Sequence, residues 1–163
     1  MRKFIYILVF LSLSVFGNFA HSDANLQAAT QLWLKKEYPA ALEKFKILAE
    51  QGIPEAQVFL GGMYQDGLGT PQDYDKALRW FRLAAEQGHS FGQFSLGLMH
   101  LGGFGTLPNL LRAHMWFNLA GMHGYEGANE MRSGVAELLT KQQVGQAQRM
   151  ANNCLAKSFK GCD

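Results

Sequence analysis

The chain has 163 residues, 48% of them hydrophobic and 17% charged, which is enough for one domain with a continuous core and argues against bulk disorder. It carries 15 basic and 13 acidic residues. Two of the basic residues, Arg2 and Lys3, fall in the first 22 positions, so the remainder is neutral and has no electrostatic footprint for nucleic acid or an anionic membrane surface.

The N-terminal segment comes first. After Arg2 and Lys3, Phe4 to Phe16 ("FIYILVFLSLSVF") is apolar apart from its serines, and small residues follow in "FAHSDA". Residues 1–22 therefore read as a secretory signal peptide, cleaved after Ser22 or after Ala24. The run is shorter than the about 20 residues a membrane helix needs. No cysteine stands at the cleavage region to take a lipid, so no stable membrane insertion is expected once the segment is removed. The mature chain is expected in a bacterial periplasm or outside the cell.

Helical patterns fill the rest. Residues 25–37 and 39–51 make an opening helix pair, with "KKEYPAA" as the turn and 25–52 as the unit. From Pro54 to about Gln65, Ala56, Leu60, Met63 and Tyr64 share one helical face, and Pro54 suits a first turn. After the turn "DGLGTPQ", Asp73 is an N-cap residue type, replaced by Asn109 one period later with the capping oxygen kept. In the helix that follows, Tyr74, Ala77, Leu78, Phe81, Ala84 and Ala85 point inward, while Asp75 and Arg79 form an i, i+4 pair facing water. Gly88 ends that helix. Residues 125–139 make a further first helix, and Thr140 with Gln143 forms a capping box for a last helix ending near Ala156.

A step of 36 residues links Gly52, Gly88 and Gly124, then Ala41, Ala77 and Ala113, then Phe45, Phe81 and Phe117. It also links Leu60 with Leu96, Gly61 with Gly97, Met63 with Met99, and Trp80 with Trp116. The chain is a repeat array, with units at 53–88 and 89–124 and a closing helix, cap and tail at 125–163. The fold class is all-α, an α/α solenoid of antiparallel helix pairs with a C-terminal capping helix.

The glycines serve this packing. Phosphate loops need a following lysine or a preceding strand, and neither accompanies the clusters around Gly61, Gly97, Gly103 and Gly105. Gly61 and Gly97 sit inside helices, where glycine costs about 1 kcal/mol against alanine, so neighbouring helices are expected to approach closely there. Trp80 and Trp116 recur at the period and read as core. The histidines His89, His100, His114 and His123 lack metal-ligand spacing. Neither GxSxG nor, beyond the signal segment, SxxK is present. No catalytic, cofactor or metal residues are assigned. Cys154 and Cys162, an even count in an exported chain, point to a disulfide fastening the tail to the last helix, with two free thiols in a frayed end as the alternative.

The pattern carried by Ala56, Leu60, Gly61, Tyr64, Gly67, Gly69, Asp73, Ala77, Trp80, Ala84, Ala85 and Gly88 resembles the Sel-one-like repeat (SLR), a branch of the tetratricopeptide-like helical repeats. The second unit departs where Gly92 stands for the alanine and His100 for the tyrosine. The likeness covers roughly residues 38–152. It implies a tetratricopeptide-like right-handed superhelix whose concave face is lined by the first helix of each unit. On that face Gln57, Gln93 and Asn129 align at the period, with Val58, Phe91, Phe94, Leu98 and Leu101 nearby. The amides are expected to hydrogen-bond an extended peptide while the apolar side chains grip it.

The expected function is a non-catalytic scaffold that binds a protein or peptide through this face, in envelope signalling or assembly or in host interaction. The alternative is a cell-wall-directed or metal-assisted enzyme, as some secreted disulfide-rich relatives have been associated with penicillin binding. A third reading, end-to-end stacking, is opposed by the capped C-terminus.

Overall fold

The computed structural model describes residues 23–162 as eight helices with no strand among them. They are α1 (23–34), α2 (Tyr38–Glu50), α3 (Pro54–Asp66), α4 (Tyr74–Ala85), α5 (Ser90–Gly102), α6 (Leu110–Met122), α7 (Ala128–Glu137) and α8 (Lys141–Ala156). The signal peptide read at 1–22 lies outside the described residues.

Local chemistry sets the helix ends. The Asp73 side chain accepts the Lys76 N–H at 2.9 Å, and Asn109 accepts the Arg112 N–H at 3.0 Å. Thr140 and Gln143 close the expected capping box, with bonds of 3.2 and 2.9 Å. Helices α3 and α5 stop at Gly67 and Gly103, whose φ values of 68° and 73° are left-handed and suit glycine. At the start of α4 the ion pair joins Lys76 Nζ to Asp73 Oδ2 at 2.9 Å, rather than Asp75 to Arg79. Lys76 is the nearer cation once the cap has brought its backbone onto Asp73.

Successive helices pack in pairs: α2 on α3, α3 on α4, α4 on α5, α5 on α6, and α6 on both α7 and α8. The apolar faces meet in three clusters. Phe45, Leu60 and Met63 centre the first, Phe81, Leu96, Met99 and Trp116 the second, and Ala113, Phe117 and Val135 the third. Tyr64 touches both the first and the second, so the core runs on between units. Trp116 is buried and Trp80 half-buried against the first cluster, as residues of a core.

The mid-helix glycines are contact points. A Cβ at Gly61 would lie 2.8 Å from the Phe81 ring, and one at Gly97 would lie 2.7 Å from the Phe117 ring. The first helix of each unit therefore rests its backbone on the aromatic ring of the second. At the far end, α8 covers α6, and Cys154 is bonded to Cys162 in a disulfide. That loop places Phe159 against the second cluster, edge-on to His123 with ring centroids 5.1 Å apart.

Candidate functional site

Helix α3 turns Ala56, Leu60 and Met63 inward and leaves Glu55, Val58, Phe59, Gly62 and Asp66 nearer the opposite side. Between that side and its neighbours lies a groove of about 410 Å³. Trp33 of α1 forms one wall, Phe91 of α5 the other, and Val58, Phe59, Gly62 and Met63 the floor. Leu68 and His89 complete the lining, and Glu55 and Asp66 bring the carboxylates.

The aromatic groups are held in place before any guest arrives. Phe59 stacks on Phe45 at 4.6 Å and meets Trp33 edge-on at 5.8 Å. Phe91 meets Tyr125 edge-on at 5.5 Å. Such pairs add about 0.5–1.5 kcal/mol beyond area burial and restrict ring motion. Gly62 makes the room, since a Cβ built there meets nothing within 4 Å. One period later the equivalent residue is Leu98. The groove exists because the first unit lacks the side chain that the second unit has.

The polar members are few. His89 caps α5, its Nδ1 accepting the Gly92 N–H at 3.3 Å. Burial holds its imidazole below the ordinary value, with Glu55 acting in the opposite sense. Among the described residues no three His, Cys, Asp or Glu side chains group as a metal site, and no helix is long and apolar enough to cross a membrane.

Of the expected face, Val58 and Phe91 line this groove, and Leu98 and Leu101 line an adjoining cavity. Phe94 is half-buried, 4.4 Å from Tyr125 and 5.4 Å from Phe117 between ring centroids. Asn129 is exposed on α7 and lines neither cavity.

Gln57 and Gln93 require a correction. They are 3% and 0% exposed, so they offer no amide ladder to a guest. Their Nε2 groups donate to the Ala49 and Ala85 carbonyls, at 3.2 and 3.3 Å. These carbonyls belong to the last turns of α2 and α4, where each also accepts the N–H of the glycine that closes its helix, Gly52 at 3.0 Å and Gly88 at 2.9 Å. The sequence reading passed over Trp33, Glu55, Phe59, Gly62 and Asp66. The usable signal was the mismatch of Gly62 with Leu98 beside the matching pair Gly61 and Gly97.

A family model for the Sel1 repeat matches residues 54–89 and 90–125. Among solved structures, the chain is similar to c5321, a protective antigen present in uropathogenic Escherichia coli strains and displaying an SLR fold. The TM-score is 0.80 and the identity 28%, over 86% of this chain and 31% of that one. It is also similar to a Sel1 repeat protein from Oxalobacter formigenes, with TM-score 0.60 and 32% identity over 64% of this chain and 41% of the other. The chain thus spans less than half the length of either. No curated protein matches it.

Proposed function

From a chain that carries two Sel1 repeats within an SLR-type helical scaffold, we propose an exported, non-catalytic binding protein of a bacterial envelope that grips another protein or peptide with its first-helix face. The observation that carries this reading is the groove of about 410 Å³ between α1, α3 and α5, walled by aromatic side chains already fixed by their neighbours. A preformed, mostly apolar concavity loses little ordering free energy on binding.

Three observations support export and an envelope role. The Cys154–Cys162 disulfide suits an oxidising compartment. The basic and apolar start of the chain has the make-up of a leader. One structural neighbour is described as a protective antigen, which suits a place that antibodies reach.

The test is capture by crosslinking in intact bacterial cells. Phe91 and Leu98 are exposed, at 39% and 36%, so Phe91→Asp with Leu98→Asp alters the face without opening the core. Wild-type protein is expected to capture one envelope protein reproducibly, and the double variant to lose it with an unchanged helical spectrum. Undiminished capture overturns the reading. Turnover of a cell-wall fragment by purified protein would favour the enzyme instead.

A further inference from the structure

A second cavity of about 310 Å³ adjoins the groove at Asp66, between the C-terminal ends of α3 and α5. Its apolar part is Leu98, Leu101 and the pair Tyr74–Phe104, stacked at 5.1 Å. The two cavities share one residue, Asp66, which is exposed at their junction. Its Oδ1 accepts an exposed hydrogen bond from Gln65 Nε2 at 3.3 Å, leaving most of the carboxylate's acceptor capacity open. Glu55 stands exposed along the first cavity. Among the described residues no lysine or arginine lines either one.

The negative charge is local. Beyond residue 22 the chain is neutral, so the field in the trough comes from these two carboxylates rather than from overall composition. It is also confined to the first unit: one period on, Glu55 becomes Phe91, Asp66 becomes Gly102 and Gly62 becomes Leu98. The trough is therefore particular to this position in the array, not a general consequence of the repeat. Apolar walls exclude a fully hydrated ion, and the carboxylates repel an acidic guest.

Resting on the first-helix reading above, we infer that the guest is a polypeptide segment with bulky apolar side chains on both sides of a lysine or arginine. One apolar side chain fills the cavity over Gly62, the cation meets Asp66 at the junction while Glu55, about 16 Å away along α3, adds to the field, and the second apolar side chain enters beside Tyr74 and Phe104.

Fluorescence anisotropy with three labelled nine-residue peptides tests this. Each carries a phenylalanine and a leucine flanking a central lysine, glutamate or norleucine. Wild-type protein is expected to prefer lysine over glutamate by about fivefold or more at low salt, the scale of exposed charge pairs. Glu55→Gln with Asp66→Asn is expected to erase that preference while still binding the norleucine peptide. Asp66→Lys is expected to invert the preference, and Gly62→Leu to abolish binding of all three peptides.

Equal affinity for the lysine and glutamate peptides in wild type overturns the inference, as does a preference that survives the double neutral variant. A self-association lost in that variant, seen by sedimentation, assigns the trough to a second copy and also overturns it. If no peptide binds while Phe91→Asp with Leu98→Asp still loses envelope capture, the charge assignment falls and the first-helix reading stands.

Discussion

Gln93 Oε1 lies 2.8 Å from His123 Nδ1, and one repeat earlier Gln57 Oε1 accepts a hydrogen bond from Gln87 Nε2 at the same 2.8 Å. Because Gln93 Nε2 donates to the Ala85 carbonyl, its oxygen is the group facing His123, so His123 Nδ1 carries the proton. Each glutamine thus joins the end of the preceding helix to the turn that ends the next second helix. The amide is the rivet between units.

Removing that rivet leaves the Ala85 carbonyl and His123 Nδ1 without this partner. Gln93→Leu is expected to cost about 1–3 kcal/mol, a fall of roughly 3–10 °C in thermal midpoint for a domain of this size. Gln57→Leu is expected to cost a similar amount, because Gln57 is buried alike, bonds the Ala49 carbonyl as Gln93 bonds Ala85, and has in Gln87 a partner as exposed as His123. Circular dichroism melts of both variants check this; an unshifted midpoint in either would count against it.

Two adjacent glycines have opposite requirements. Gly61→Ala drives a methyl into the Phe81 ring, 2.8 Å away, and is expected to destabilise by about 1–3 kcal/mol despite better helix propensity. Gly62→Ala enters open space and is expected to stabilise by about 0.5–1 kcal/mol. Urea titrations give both signs. Gly97→Ala is expected to repeat the first result against Phe117, at 2.7 Å.

Acid should weaken the fold through His114. Its imidazole is buried, and Nδ1 has no hydrogen-bond partner among the described residues. Burial first, and the nearby Arg132 charge second, hold it below the ordinary value of about 6.5. The unfolded chain therefore binds the proton more readily than the fold, and stability present above that ordinary value is lost as pH falls below it. His114→Leu, matching Leu78 of the preceding unit, is expected to melt higher than wild type. The gap should widen from pH 7.5 to pH 5.0, and a constant gap would refute the assignment.

The tail should come away on reduction. Opening Cys154–Cys162 releases the segment that holds Phe159 against the core and beside His123. The loop is short, with a sequence separation of 8, so the loss is expected below about 3 kcal/mol. Cys162→Ser should lower the melting point as dithiothreitol does for wild type, with no further effect of the reagent on the variant. Trypsin should then cut at Lys157 or Lys160 sooner.

Much of this molecule is legible without coordinates. The 36-residue step, the caps at Asp73, Asn109 and Thr140, and the close approach at Gly61 and Gly97 all follow from residue types at set spacings. They are short-range: a cap needs only an oxygen three residues before an N–H, and a repeat imposes one neighbour relation on every unit. Gln57 and Gln93 show where this reasoning stops. Their helical register points away from the main apolar stripe, yet both are buried, because the preceding helix end folds over them.

The same limit applies to the groove. One-dimensional pattern carries the solenoid, since each helix contributes its own periodicity and its own ends. Three-dimensional packing decides what lies open: Trp33, Gly62, Asp66 and Phe91 come from three helices and share one cavity only after those helices dock. Solvent access to a side chain is a property of everything packed around it, and no spacing along the chain encodes that.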